Sequence, residues 1–273
     1  EILLSSSRQS PLNLSADPLD WNLSNASADD IDAVGRVNRA VVWVDDGQTS
    51  IGYVLRGVDE GFVNHGGLPL EKWDIGLGET EEEAWISLQN NGNIVFVDSS
   101  FALVDPNTGK AMAGITLSIG KSISLIDISN PGNTRSVKVA GFLEQSSYLF
   151  SAGVWMSDDL VIEQFDGRLT RMYVSVSDDA QPSASYQDNT VSDFSPTGKS
   201  KDVRMAAAEL ESELSPLLNS KGVQVSVISD EVMLLQSLVL ALLGIFEGYL
   251  ALGLIVGIAG IGVVTVRSVS ERT

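Results

Sequence analysis

From position 238 to 266 the chain is almost wholly apolar, broken by Glu247. Below that residue, positions 248–266 form a run about 29 Å long as a helix, close to the ~30 Å hydrocarbon thickness of a bilayer. Glu247 then falls at one interface and Arg267 at the other, since a carboxylate at mid-bilayer is costly. Tyr249 suits the interfacial aromatic belt. The pattern predicts one membrane span, continued upstream as a stalk over residues 234–246.

Ahead of it the apolar positions recur at shorter periods. Met172, Val174 and Val176 alternate with polar neighbours, as do Val223, Val225 and Val227, so both segments read as half-buried strands. Between them Val203, Ala207, Leu210, Leu214 and Leu217 recur at helical spacing. Strand, helix, strand makes a β-α-β unit that delivers the chain directly to the membrane helix. Residues 178–200, rich in Asp, Ser and Pro, read as a long loop.

Further upstream, residues 40–44 and 51–58 read as strands joined at Asp45-Asp46-Gly47. Thr80-Glu81-Glu82-Glu83 is a capping box that opens a helix reaching about Asn90. Strand-like runs follow at 94–97, 115–119, 122–128, 136–142 and 151–156, with turn signals at 105–109 and 130–133, so about 93–157 is a β-rich block. Ser27 is placed to cap a short helix over 28–34. Residues 1–27, rich in Ser, Asn, Asp and Leu, read as an extended segment lying across the surface, and Ile2-Leu3-Leu4 could end an earlier membrane helix. The expected organisation is an N-terminal extended segment (1–27), an α+β domain (28–236) and a stalk with transmembrane helix (237–273).

Composition fits a folded domain: 44% of residues are hydrophobic and 19% charged. The formal charge of −19 repels phosphate backbones and argues against a nucleic-acid partner. With no cysteine, disulfides and thiolate chemistry are excluded. Arg267 and Arg272 follow the span, whereas Asp230, Glu231 and Glu247 precede its core. The positive-inside rule therefore places the C-terminus in the cytoplasm and the α+β domain outside.

Candidate chemistry is sparse. His65 is the sole histidine and lies in a Gly-rich turn; a Ser-His-Asp hydrolase would need it, yet no Gly-x-Ser-x-Gly elbow is present. The carboxylates at Asp29, Asp30 and Asp32, at Asp45 and Asp46, and at Asp158 and Asp159 lack the spacing of a calcium loop. No phosphate-binding Gly-x-x-x-x-Gly-Lys-Ser/Thr loop occurs, so any ATPase lies on another chain. No catalytic, metal or cofactor site is expected. Gly253, Gly257 and Gly260 fall on one face of the span, where small residues let helix backbones approach in lipid.

The segment Phe246-Glu-Gly-Tyr-Leu-Ala-Leu-Gly-Leu-Ile-Val-Gly-Ile-Ala-Gly-Ile-Gly-Val-Val-Thr-Val-Arg-Ser-Val-Ser-Glu-Arg272 resembles the FtsX-like permease family of ABC transporters. The order of elements before it is similar to a MacB-type periplasmic domain, with an α/β subdomain and a β-rich insertion. The resemblance implies a permease that does no chemistry itself. An ABC ATPase subunit in the cytoplasm would be its partner, together with other permease helices or a second permease copy, and the glycine face would be a contact between them. ATP hydrolysis by that partner would be coupled to export or to mechanical work outside the cell membrane. The rival expectation is a membrane-anchored sensor or ligand-binding ectodomain signalling through the same helix.

Overall fold

The computed structural model describes residues 2–6, 11–15, 17–21, 23, 29–64, 66–109, 111–145, 152–184, 186, 191 and 198–270. The strands are β1 (Ile2–Ser6), β2 (Ile31–Asp45), β3 (Ser50–Val58), β4 (Leu70–Trp73), β5 (Ile94–Val97), β6 (Ser122–Asp127), β7 (Thr134–Leu143), β8 (Val154–Ser157), β9 (Arg168–Val176) and β10 (Val223–Val227). The α-helices are α1 (Glu60–Asn64), α2 (Glu81–Asn90), α3 (Asp158–Phe165), α4 (Lys201–Asn219) and α5 (Ile228–Ser270). The fold class is α+β, as the sequence predicts.

The strands run β10-β1-β9-β2-β3-β8-β5-β7-β4, and β6 bridges β2 and β7. That bridge closes a ring of six strands, β2-β3-β8-β5-β7-β6. Alternate side chains of the ring, among them Val42, Leu55, Val97, Leu125, Val139 and Met156, form one buried core. Closure leaves fewer unpaired strand edges in this half of the domain. The expected β-rich block supplies four of the ring strands, and β2 with β3 supplies the rest.

A second core lies under the antiparallel set β10-β1-β9. Here the apolar stripe of α4, including Ala207, Leu210 and Leu214, packs against Met172, Val174, Val225 and Val227. The predicted strand, helix and strand are all present, but β9 and β10 are not neighbours. β1 lies between them and pairs antiparallel with each. The β-α-β unit is therefore split by the N-terminal strand.

Three local expectations are corrected. Residues 2–6 form a central strand, with Ile2 and Leu4 fully buried, rather than a surface segment or a helix end. The reason is that their apolar faces complete the second core. Residues 31–34 belong to β2 and not to a helix; pairing with β9 along Ile31–Arg39 outweighs the capping signal, and Ser27 and Ala28 lie outside the described residues. Residues 115–119 form no strand, although Ile115 and Leu117 are buried in the ring core. The capping box forms as predicted: Thr80 Oγ1 accepts from Glu83 N at 3.2 Å, and Glu83 Oε2 accepts from Thr80 N at 3.3 Å.

The helix α5 is 43 residues long, about 64 Å at 1.5 Å per residue, or roughly twice a bilayer core. Its described stretch Val232–Ala259 is long and apolar enough to cross a membrane. This stretch begins upstream of the expected span and includes Glu247. Side chains such as Leu243, Phe246, Leu250 and Ile255 are more than half exposed. A helix that is apolar all round and exposed belongs in lipid or against other helices.

Candidate functional site

Between the last strand and the long helix the chain runs on without a linker. β10 is held along all five of its residues by β1, from Val223 opposite Ser6 to Val227 opposite Ile2. Val227 ends the strand and Ile228 begins α5, so no residue separates the two elements. Val223, Val225 and Val227 are anchored in the second core, which fixes the strand from which the helix departs.

Along α5, Gly253 and Gly257 have open space: a Cβ added at either meets nothing within 4 Å. Gly260 is helical as well. Glu247 and Tyr249 are exposed on the helix. Arg267 lies in the helical backbone with its side chain outside the described residues, as Arg272 lies outside them altogether. His65 is also outside the described residues.

The acidic pairs serve separate structural ends. Among the described residues no group of three metal-ligating side chains is present. Asp46 accepts from Lys121 Nζ at 2.7 Å and from the backbone of Gln48 and Thr49. These bonds, led by the one from Lys121, hold its carboxyl down at about 2. Asp158 is buried at the start of α3, and burial, then Asp59 and Asp159, pushes its carboxyl up. Asp59 itself accepts from Arg36 N at 2.8 Å, Arg36 Nε at 2.7 Å and Phe62 N at 2.9 Å.

Two polar clusters escape sequence reading. The first is Asp98, with no solvent exposure, which accepts from Tyr53 Oη, Ser100 N, Ser100 Oγ and Gly153 N at 2.5–2.9 Å. It ties β3, β5 and the approach to β8. The second is a row of arginines across the sheet. Arg39 of β2 sits in register opposite Arg56 of β3, and Arg171 of β9 lies in register between Val37 of β2 and Ser5 of β1. Together with Ser5, Ser6 and Thr170 they line a cavity of about 260 Å³.

Arg56 is only 8% exposed. Its Nε donates to the Ala152 carbonyl at 2.9 Å, and its guanidinium lies 5.4 Å from the Trp155 ring centroid. Trp155 belongs to a buried aromatic cluster with Phe62, Trp85 and Phe96. Burial first, then the charge of Arg171, holds the Arg56 guanidinium down at about 10. The one sequence signal for this cluster is an arginine within each of three strand runs, Asn38-Arg39-Ala40, Leu55-Arg56-Gly57 and Thr170-Arg171-Met172.

No family model matches the chain, and no curated protein matches it. Among solved structures, the chain is similar to the periplasmic region of MacB from Actinobacillus actinomycetemcomitans, at 18% identity and a TM-score of 0.47, over 86% of this chain and 92% of that one. It is also similar to the extracellular domain of the noncanonic ABC-type transporter YknZ from Gram-positive bacteria, at 13% identity and a TM-score of 0.43, over 83% of this chain and 99% of that one.

Proposed function

We propose that this chain is the extracytoplasmic domain, with its following transmembrane helix, of an ABC transporter permease subunit of the FtsX-like and MacB-like kind. The observation that supports the reading is the passage from β10 into α5 without an intervening residue. A glycine-rich linker at this junction would add slack along the chain, and the sequence has none there. Permeases need such a connection, because ATP is hydrolysed on one side of the membrane and work is done on the other. The glycine-rich sequence of the helix is the second support, through its resemblance to the permease family.

In this reading α5 spans the bilayer with Arg267 and Arg272 on the cytoplasmic side. A separate ATPase subunit binds in the cytoplasm. Gly253, Gly257 and Gly260 meet another permease helix or a second permease copy, and the chain itself carries no catalytic group. The outer domain moves a substrate or acts on an extracellular partner.

The test is to solubilise the full-length protein from its native membrane and identify what copurifies. A stoichiometric ATPase, with its hydrolysis rate altered by Gly257→Leu, is the expected result. Recovery with a signalling kinase, or with no ATPase at all, would overturn the reading in favour of a sensor ectodomain.

A further inference from the structure

We propose that Asn13 is an N-glycosylation site, the acceptor of a glycan joined to its side-chain amide. The inference rests on the outward placement of the domain in the permease reading, because this modification belongs to surface loops on the far side of the membrane from the cytoplasm.

The sequence sets three asparagines apart. Asn13-Leu14-Ser15, Asn22-Leu23-Ser24 and Asn25-Ala26-Ser27 all read Asn-x-Ser without an intervening proline, the acceptor pattern for N-linked glycans. None of the ten asparagines that follow, from Asn38 to Asn219, has Ser or Thr two residues on. Some of these have a local structural task instead. Asn91 Oδ1 accepts from Asn93 N at 3.1 Å, and Asn107 Nδ2 donates to Asp105 at 3.2 Å. A Ser-rich stretch yields one match easily, but here every asparagine of the first 27 residues opens one.

Asn22 and Asn25 lie outside the described residues, so the geometry concerns Asn13. Leu12 is 7% exposed and belongs to the second core, and its backbone N–H donates to the Leu169 carbonyl at 2.7 Å. Leu14 packs against the same core. Asn13, between the two leucines, is exposed. Trp21 is buried in that core as well, and its Nε1 donates to the Ser15 carbonyl at 2.9 Å. The leucines and the tryptophan therefore hold the segment against the domain while the asparagine faces water. A bulky, polar glycan at Asn13 stays in solvent and leaves the core closed. No sheet ladder is disturbed either, because residues 11–15 belong to no strand or helix.

The transfer forms a bond between Asn13 Nδ2 and the anomeric carbon of a sugar. It breaks the bond from that carbon to a phosphate oxygen of the donor, a glycan activated on a membrane-lipid phosphate. The amide loses one proton, and the lipid phosphate leaves with the bonding electron pair. A transferase on another chain catalyses the step, and Asn13 supplies the nucleophilic nitrogen.

The experiment is mass spectrometry of the full-length protein purified from its native membrane and cleaved before aspartates. Cleavage at Asp17 and Asp20 separates Asn13 from Asn22. A glycan on the peptide that contains Asn13 is the expected result. It should be lost in Asn13→Gln and in Ser15→Ala, and kept in Ser15→Thr, which preserves the acceptor pattern. Thermal unfolding of Asn13→Gln checks that this exposed substitution leaves the domain folded.

A second measurement separates the modification from the topology. The chain has no cysteine, so a single Ser129→Cys, at an exposed position, reports which side of the membrane the domain occupies. Labelling of that variant by a membrane-impermeant maleimide on intact cells is expected. An unmodified Asn13 on a labelled domain overturns the proposal and leaves the permease reading standing. An unmodified Asn13 on an unlabelled domain overturns both the proposal and the outward placement beneath it. A glycan that persists on the same peptide in Asn13→Gln sits on another residue, and that result overturns the proposal too.

Discussion

Ile2 lies in register opposite Val227, the last residue before the long helix, and both are buried in the same core. The first strand thus holds the final one in place. Leu4, two residues on, faces the same core with no solvent exposure.

Leu4→Ala should therefore destabilise the domain by about 2–5 kcal/mol, the range for a buried leucine truncated in a packed core. Thermal unfolding of the solubilised chain reads this directly. A midpoint close to that of the parent would mean that β1 is dispensable and the split β-α-β arrangement incorrect.

Asp98 gathers donors from Tyr53, Ser100 and Gly153 where no water reaches. Asp98→Asn puts an amide donor where a second acceptor oxygen is needed, at about 2–4 kcal/mol of stability. Tyr53→Phe removes one donor and leaves the others, and should cost about 1–2 kcal/mol. Chemical denaturation of the two variants should rank them in that order, and the reverse order would show that the carboxylate is not the centre of the cluster.

Asp46 titrates lower when folded, so its stabilising effect is present above the unfolded carboxyl value of 3.8 and fades as pH falls through about 2. Asp46→Asn should lower the thermal midpoint near neutral pH, and the gap to the parent should close as pH approaches 2. A gap of constant size down to that pH would exclude the Lys121 pair as its origin.

Gly57 on β3 lies against the start of α3, where an added Cβ would sit 2.7 Å from Asp158 Cα and 2.9 Å from Val161 Cβ. Neither neighbour is a flexible side-chain end, so Gly57→Ala should force the helix outward and cost about 1–3 kcal/mol. Hydrogen exchange should quicken across residues 158–165 in the variant. Unchanged protection there would show that the ring and α3 are not packed this closely.

The elements that the sequence predicts well are those specified by neighbours along the chain. Thr80 and Glu83 satisfy each other's backbone across one helical turn, so the start of α2 is written in four letters. Val223, Val225 and Val227 alternate, and a strand forms over those five residues. The apolar run after Asp230 leaves no other element to form than a long helix. For the candidate site, the same local reading singled out Gly253, Gly257, Gly260, Glu247 and Arg267, which all belong to one element.

What only the tertiary structure decided depends on contacts between residues far apart in sequence. Ile2-Leu3-Leu4 is too short to carry a period, and only the gap between β9 and β10 makes it a central strand. Residues 31–34 carry a helical start signal that loses to ladder pairing with residues more than a hundred positions away. Closure of the ring through β6 depends on Val44 meeting Leu125, a register set by burial of both. Arg39, Arg56 and Arg171 are separate letters in three strands until pairing places them around one cavity. Local propensity acts over a few residues, whereas strand partners are selected by the burial they complete, and this chain's sequence determined the first while its fold determined the second.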